Sequence, residues 1–129
     1  MTKDNKKLTL ADLVAAKLQK EQKRENNKMD HYVESLGGWI TIALPDEEII
    51  IKGADMLKDE TLASVLESYS FLIYHSVALF RSPELHEQCD VLDPLDIVKK
   101  LLDVKERIKI GELIMGMSNM DKFEDNIKN

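Results

Sequence analysis

YVESLGGWITIALP, residues 32–45, interrupts the helical spacing of apolar residues with a strand-like pattern around a pair of glycines. The run after the glycines, WITIAL, is rich in the aromatic and β-branched residues that suit a pleated, half-buried surface. Gly37 and Gly38 permit the positive φ angles that a tight hairpin turn demands. The stretch therefore predicts one β-hairpin, over about residues 32–44, in an otherwise helical chain of the α+β, mainly α class.

The length and composition predict a single globular domain, residues 1–129. The chain is 43% hydrophobic and 33% charged, which is too apolar for wholesale disorder. Cys89 is the only cysteine, so no intramolecular disulfide can form. No run approaches the ~20 apolar residues of a membrane span, and no apolar leader opens the chain. We expect a cytoplasmic protein with no membrane contact.

The net charge of −6 is divided unevenly along the chain. Residues 1–28 hold eight Lys or Arg against four Asp or Glu (+4), and residues 29–129 hold ten against twenty (−10). We divide the domain into a basic helical arm (1–28), a globular body (29–119) and a polar tail (120–129) that we expect to be mobile. Alternating charges in the arm are typical of a solvated helix face. Because no aromatic residue lies among its lysines, binding to nucleic acid is disfavoured.

The arm carries the signals of a helix from about Leu10 to Glu25. Thr9 has the character of an N-cap, with an acidic residue, Asp12, three positions later. The apolar positions share one helical face: Leu10, Leu13, Val14 and Leu18. Beyond Leu18 the sequence offers nothing to bury, so we expect this part to be frayed or to project, and the arm to become ordered only on a partner.

The segment that follows the hairpin allows two interpretations. Pro45 and the acidic residues 46–48 are a typical helix opening and favour a short helix over about residues 46–57. The β-branched run Ile49–Ile51 favours a third strand instead, and Gly53 would weaken a helix by about 1 kcal/mol relative to alanine. We predict the helix and keep the strand as the alternative.

The remaining sequence predicts a helical body. Apolar residues recur every three or four positions from a cap at Asp59 to Phe80, which predicts a central helix apolar around more than half its girth. A short helix is expected at 83–88. Another is expected to begin at Asp93-Pro94, with a break near Asp103 before the last apolar stripe.

Catalytic and metal-binding patterns are missing from the sequence. His31, His75 and His86 fall on different predicted elements, and no glycine-rich phosphate loop precedes a helix. His86 and Cys89 are three positions apart, but structural zinc usually needs four such ligands. A surface histidine beside an ordinary buried thiol is the simpler interpretation. We expect no enzyme activity, no cofactor and no metal.

Several apolar residues are candidates for binding another protein. Methionines cluster near the end of the last helix, where flexible thioethers either fill gaps in the core or accommodate varied apolar partners. Trp39 either caps the core or stays exposed as an interaction anchor. The second face of the central helix is the remaining candidate. The predicted protein-binding residues are Trp39, Phe71, His75, Leu79, Met115 and Met117, and Met120 belongs to the same methionine cluster.

The order of these parts resembles a known family. LTLADLVAAK, YVESLGGWITIALP, LIYHSVALFRSPEL and DVLDPLDIVKKLLDVKERIKIGELIMGM follow one another as in the tail assembly chaperones of long-tailed bacteriophages and prophages, from about Leu8 to Met117. The resemblance implies a non-enzymatic, mainly helical protein that keeps the apolar, helical tape measure protein soluble until the tail tube polymerises around it. It also implies a longer, frameshifted form that binds the tail tube protein, with the present chain as the short form.

Two questions stay open at this level. The alternative function is an acidic phage or bacterial regulator that binds another protein or nucleic acid through its acidic surface and basic arm. The oligomeric state is also open, because apolar helix faces pair with another copy as readily as with a client, so a homo-oligomer is a further expected partner.

Overall fold

The chain folds into helices around one hairpin, as its sequence predicts. A computed structural model describes residues 5–57 and 59–119. The described elements are, in chain order, α1 (Leu10–Glu25), β1 (Lys28–Val33), β2 (Gly38–Ala43), α2 (Glu47–Asp55), α3 (Leu62–Ser76), α4 (Pro83–Gln88), α5 (Asp96–Leu101) and α6 (Val104–Met117), with 3-10 turns at Glu34–Leu36 and Ala78–Arg81. The expected class, α+β and mainly α, is confirmed. The expected mobile tail and Met120 lie outside the described residues.

The hairpin pairs β1 and β2 in antiparallel register, from Lys28 opposite Ala43 to Val33 opposite Gly38. Its first strand begins four residues earlier than predicted, because the backbone of Lys28 to Tyr32 finds partners along β2. The turn also differs from the predicted glycine-pair turn. A 3-10 turn reverses the chain. Of the two glycines, only Gly37 has a positive φ, of 67°, and Gly38 already belongs to β2.

The region after Pro45 is helical, so the third-strand alternative is wrong. α2 buries Ile50 and Gly53 against the body. A Cβ at Gly53 would clash with the side chain of Leu72, so the glycine that weakens the helix locally is what lets α2 approach α3. Ser68 completes the contact by donating a hydrogen bond to the Gly53 carbonyl, at 2.6 Å.

α3 is the centre of the body and packs against α2, α5, α6 and β2. Its N-cap is Thr61, whose hydroxyl accepts from the Ser64 N–H, and not Asp59 as predicted. Asp59 instead accepts a hydrogen bond from the Thr61 hydroxyl, at 2.7 Å. The helix ends at Ser76, four residues before the predicted end, because Val77 turns to extended backbone and buries its side chain.

The C-terminal helices close the core around α3. α4 begins at Pro83, as predicted, and Ser82 is its N-cap. α5 begins at Asp96, later than the predicted Asp93-Pro94 start, since Asp93 accepts the Leu95 N–H within a turn. The predicted break is present, and Asp103 forms a capping box with Glu106 at the start of α6.

The core lies between the inner face of the hairpin and helices α3, α5 and α6. Alternate strand residues point inward, and α6 contributes one face along its length. The buried apolar cluster is Val33, Ile40, Ile42, Phe71, Leu72, Ile73, Val77, Phe80, Ile97, Val98, Leu102, Ile110, Ile114 and Met115. No residue of α1 belongs to it.

Candidate protein-binding surfaces

The first candidate surface is the apolar face of α1. The Thr9–Asp12 capping box fixes the start of the helix, and its bounds match the prediction. None of its 16 residues is buried by the parts of the chain that the structure describes. We call four of these side chains, all between 53% and 79% exposed, the α1 stripe: Leu10, Leu13, Val14 and Leu18. Both halves of the helix therefore project, not only the polar half.

The body holds α1 at its C-terminal end. The Arg24 guanidinium donates a hydrogen bond to the Pro45 carbonyl, and the Leu44 N–H donates to the Asn27 carbonyl at 3.0 Å. The ion pairs within the described part of the arm are local: Lys6 with Asp12 at 3.4 Å and Lys17 with Glu21 at 3.5 Å. The α1 stripe thus lies toward the end of the helix that is farther from this attachment.

An open cleft of about 670 Å³ runs between the C-terminal half of α1 and the body. Its arm side is cationic, with Lys20, Lys23 and Arg24. Its body side is formed by α2 and the end of α6, where Ile51 is exposed and Met117 is half-buried. The cleft does not reach the α1 stripe, whose residues are absent from its lining.

A second apolar surface lies on the outer face of the hairpin. Tyr32 and Trp39 are directly opposite each other in the register, and their rings meet edge to face at 5.4 Å. Trp39 is 68% exposed, so it does not cap the core. Beside it on the same face, Thr41 donates a hydrogen bond to Asp30 at 2.8 Å. The outer face therefore presents a preformed aromatic pair next to a polar one.

The structure contradicts the predicted role of Phe71 and Met115, which are 8% and 2% exposed and belong to the core. Met115 is buried where α6 packs closely on α3, and Gly111 permits that distance, because a Cβ there would overlap the Tyr69 side chain. The Phe71 ring lies in the core with the Lys52 ammonium of α2 over it, at 5.5 Å. Neither residue is accessible to a client while the body is folded.

The other predicted residues fall on separate elements. His75 is half-buried, with its ring edge to face with Phe71 at 4.7 Å and Tyr74 at 5.1 Å. Burial lowers the pKa of His75 below 6.5, with Arg81 adding to the effect, so the neutral form is favoured. Leu79 is exposed, but it belongs to the 3-10 turn after α3 and not to the central helix. These residues do not form one continuous helix face.

Titratable groups are dispersed in the described part of the chain. Among residues 5–57 and 59–119, no three His, Cys, Asp or Glu side chains come together as a metal site would require. The His86 ring contacts the Phe80 carbonyl oxygen at 2.6 Å, and Cys89 is half-buried. His86 is thus engaged within the fold.

Sequence reasoning identified the α1 stripe as a helical face but did not nominate it for binding. A signal was present, because the stripe stops after about two turns and leaves the rest of α1 polar, whereas a core helix carries its apolar face along its length. The exposure of Trp39 had no comparable signal, since one residue of an alternating strand looks the same on either face.

No helix within the described ranges is both long enough and apolar enough to cross a membrane. Comparisons of the chain with protein-family models, with curated proteins and with solved structures found no match.

Proposed function

We propose that this protein is a non-enzymatic chaperone that binds an apolar helical client, the tape measure protein of a long-tailed phage or prophage, in the cytoplasm of the bacterial host. The observation that carries the proposal is the α1 stripe, an apolar helix face that the described body leaves uncovered. A helix held out in this way offers anchors at i, i+3, i+4 and i+8 to a second amphipathic helix. The order of the sequence segments, which resembles that of the tail assembly chaperones, supports the tape measure protein as the client.

The charge distribution suits this role. Residues 29–129 carry a net charge of −10, which keeps a complex with an apolar client from associating further. The arm is basic, so an acidic flank on the client helix would be attracted to Lys20, Lys23 and Arg24, which follow the stripe along α1. Association would therefore weaken as salt is raised.

The same proposal includes a second partner. A longer, frameshifted form of the chain would bind the tail tube protein, while the short form keeps the client soluble. The client is released as the tube polymerises around it.

Co-expression with the tape measure protein tests the proposal. The wild-type chain should keep the client in the soluble fraction and co-purify with it. The double variant Leu13→Glu with Leu18→Glu places two carboxylates in the stripe and should lose both effects, because a charge cannot be buried unpaired in an apolar contact.

The matched control is Gln19→Glu, which adds a carboxylate to the opposite side of the same helix and should behave as wild type. Circular dichroism of each variant checks that the body stays folded. Equal client solubility with the double variant and the wild type would show that the stripe is not the binding surface.

A further inference from the structure

We propose that in the free protein the α1 stripe is covered by the same stripe of a second copy, in an antiparallel helix pair centred on Val14. The pair is related by a two-fold axis, so one surface serves both partners. This dimer does not depend on the identity of the client.

The stripe is complementary to itself in this arrangement. With Val14 at the centre, Leu10 of one copy lies level with the partner's Leu18, and Val14 meets the partner's Val14. Leu13 lies on one flank of the row formed by Leu10, Val14 and Leu18, where it packs against the aliphatic stem of the partner's Lys17. Every stripe residue therefore meets apolar surface of the partner.

Between Leu10 and Leu18, Lys17 is the one charged residue that falls within the width of the stripe. Its ammonium already pairs with Glu21 at 3.5 Å on the same helix. The aliphatic stem of a lysine can pack along apolar surface while its charge stays in water. Lys17 therefore lies at the edge of the pair beside the partner's Leu13 and need not be desolvated.

The attachment of α1 to the body selects the antiparallel orientation. Eleven residues separate Val14 from Glu25, which is about 16 Å at about 1.5 Å per residue. An antiparallel pair therefore holds the two bodies roughly 33 Å apart along the helix axis. A parallel pair would place both bodies at the same end. Because packed helix axes are only about 8–10 Å apart, the two bodies would be crowded together there.

Charge disfavours the parallel pair as well. Residues 29–129 carry −10 in each copy, so side-by-side bodies would repel each other. Within α1, residues 17–25 hold four basic and two acidic side chains, while residues 10–16 hold only Asp12. A parallel pair aligns the two cationic halves, whereas an antiparallel pair separates them.

The size of the contact predicts a reversible dimer. A standard stable interface buries about 800 Å² per partner. Four aliphatic side chains and a lysine stem bury less, so we expect a dissociation constant on the order of micromolar. A client helix would bind the same stripe in place of the second copy, and the dimer would shield the stripe until the client is present.

Sedimentation velocity on the purified full chain, without any client, tests the association. The wild-type chain should shift from monomer to dimer as concentration rises through the micromolar range. Leu13→Glu should raise the dissociation constant by at least about tenfold, while Gln19→Glu on the opposite side should leave it unchanged. A wild-type chain that stays monomeric at hundreds of micromolar, or a dimer that survives Leu13→Glu, would overturn the proposal.

Disulfide trapping tests the orientation. In a Cys89→Ser background, a mixture of the Leu10→Cys and Leu18→Cys variants should form a mixed disulfide dimer, and Val14→Cys should cross-link to itself. Dominant self-linking of Leu10→Cys would indicate a parallel pair and would also overturn the proposal. Because client binding takes no part in either experiment, their failure would leave the proposed function standing, and loss of client binding would leave the dimer standing.

Discussion

The helices α1 and α3 have the same kind of N-terminal cap, but α3 lies inside the body and α1 lies outside it. Each has a threonine N-cap, Thr9 or Thr61, whose hydroxyl accepts a backbone N–H of the first turn, and they are 16 and 15 residues long. α3 buries six residues, including three serines, while α1 buries none against the described chain. Caps and helical period therefore decide that a helix forms, and the length of its apolar face decides whether the body can enclose it.

The difference in burial between α3 and α1 also separates the residues that stabilise the fold from those available for binding. Side chains of α3 and α6 stabilise the fold, and their apolar surface is buried in the core. The α1 stripe contributes little to the body and keeps its apolar surface available. Changes in the two regions should accordingly have different readouts.

The largest contrast is expected between Leu72→Ala and Leu13→Ala. Leu72 is completely buried against α2 and the core, so truncation should lower the free energy of unfolding by about 2–5 kcal/mol. Leu13 is exposed on α1, and its truncation should change the same quantity by less than about 0.5 kcal/mol. Urea unfolding followed by circular dichroism, at a concentration where the chain is monomeric, measures both. A comparable loss in Leu13→Ala would mean that α1 packs on the body.

A second contrast lies within α6. Gly111 faces α3, and a Cβ there would overlap the Tyr69 side chain, so Gly111→Ala should destabilise the body by about 1–3 kcal/mol through overpacking. Gly116 has open space at its Cβ position, so Gly116→Ala should stabilise by up to about 1 kcal/mol through helix propensity. Thermal unfolding of the two variants should shift in opposite directions. Shifts of the same sign would show that the α3–α6 contact can relax around the added methyl group.

The smallest expected effect compares the capping boxes of α6 and α1. Hydrogen bonds from the Ser35 hydroxyl, at 2.6 Å, and from backbone N–H groups lower the pKa of Glu106 below 4.5. Because the folded-state pKa is lowered, the stabilisation is complete above the unfolded value and is lost as pH falls through the folded one. Glu106→Gln should therefore reduce the loss of body stability on acidification.

Asp12 is the matched case in the arm, where hydrogen bonds from Thr9 lower its pKa below 3.8. Asp12→Asn should change the pH dependence of α1 helicity and leave the unfolding of the body unchanged, because the described body does not bury α1. Stability profiles below about pH 5, recorded by urea unfolding for the body and by helicity for the arm, make the comparison. An effect of Asp12→Asn on body unfolding would contradict the separation of the two regions.

Much of the fold could be predicted from local sequence. The bounds of α1 and α4, the capping box of α1 and the break at Asp103 depend on residues within one turn, so nearby side chains determine them. The start of β1 and the end of α3 were misplaced because they depend on partners distant in the chain, β2 for the strand and the core around Val77 for the helix. Phe71 and Met115 were misassigned as accessible for the same reason, since α2 and α6 pack against α3 only in the folded chain.

By itself, the sequence determined where helices and the hairpin form, because caps, glycines and apolar period act over a few residues. It also determined that the arm is basic and the body acidic. Only the tertiary structure decided which apolar faces remain open, because burial depends on what other elements bring to each face. Gly53 and Gly111 allow α2 and α6 to pack closely on α3 and to bury its apolar surface. No element of the described chain covers the α1 stripe.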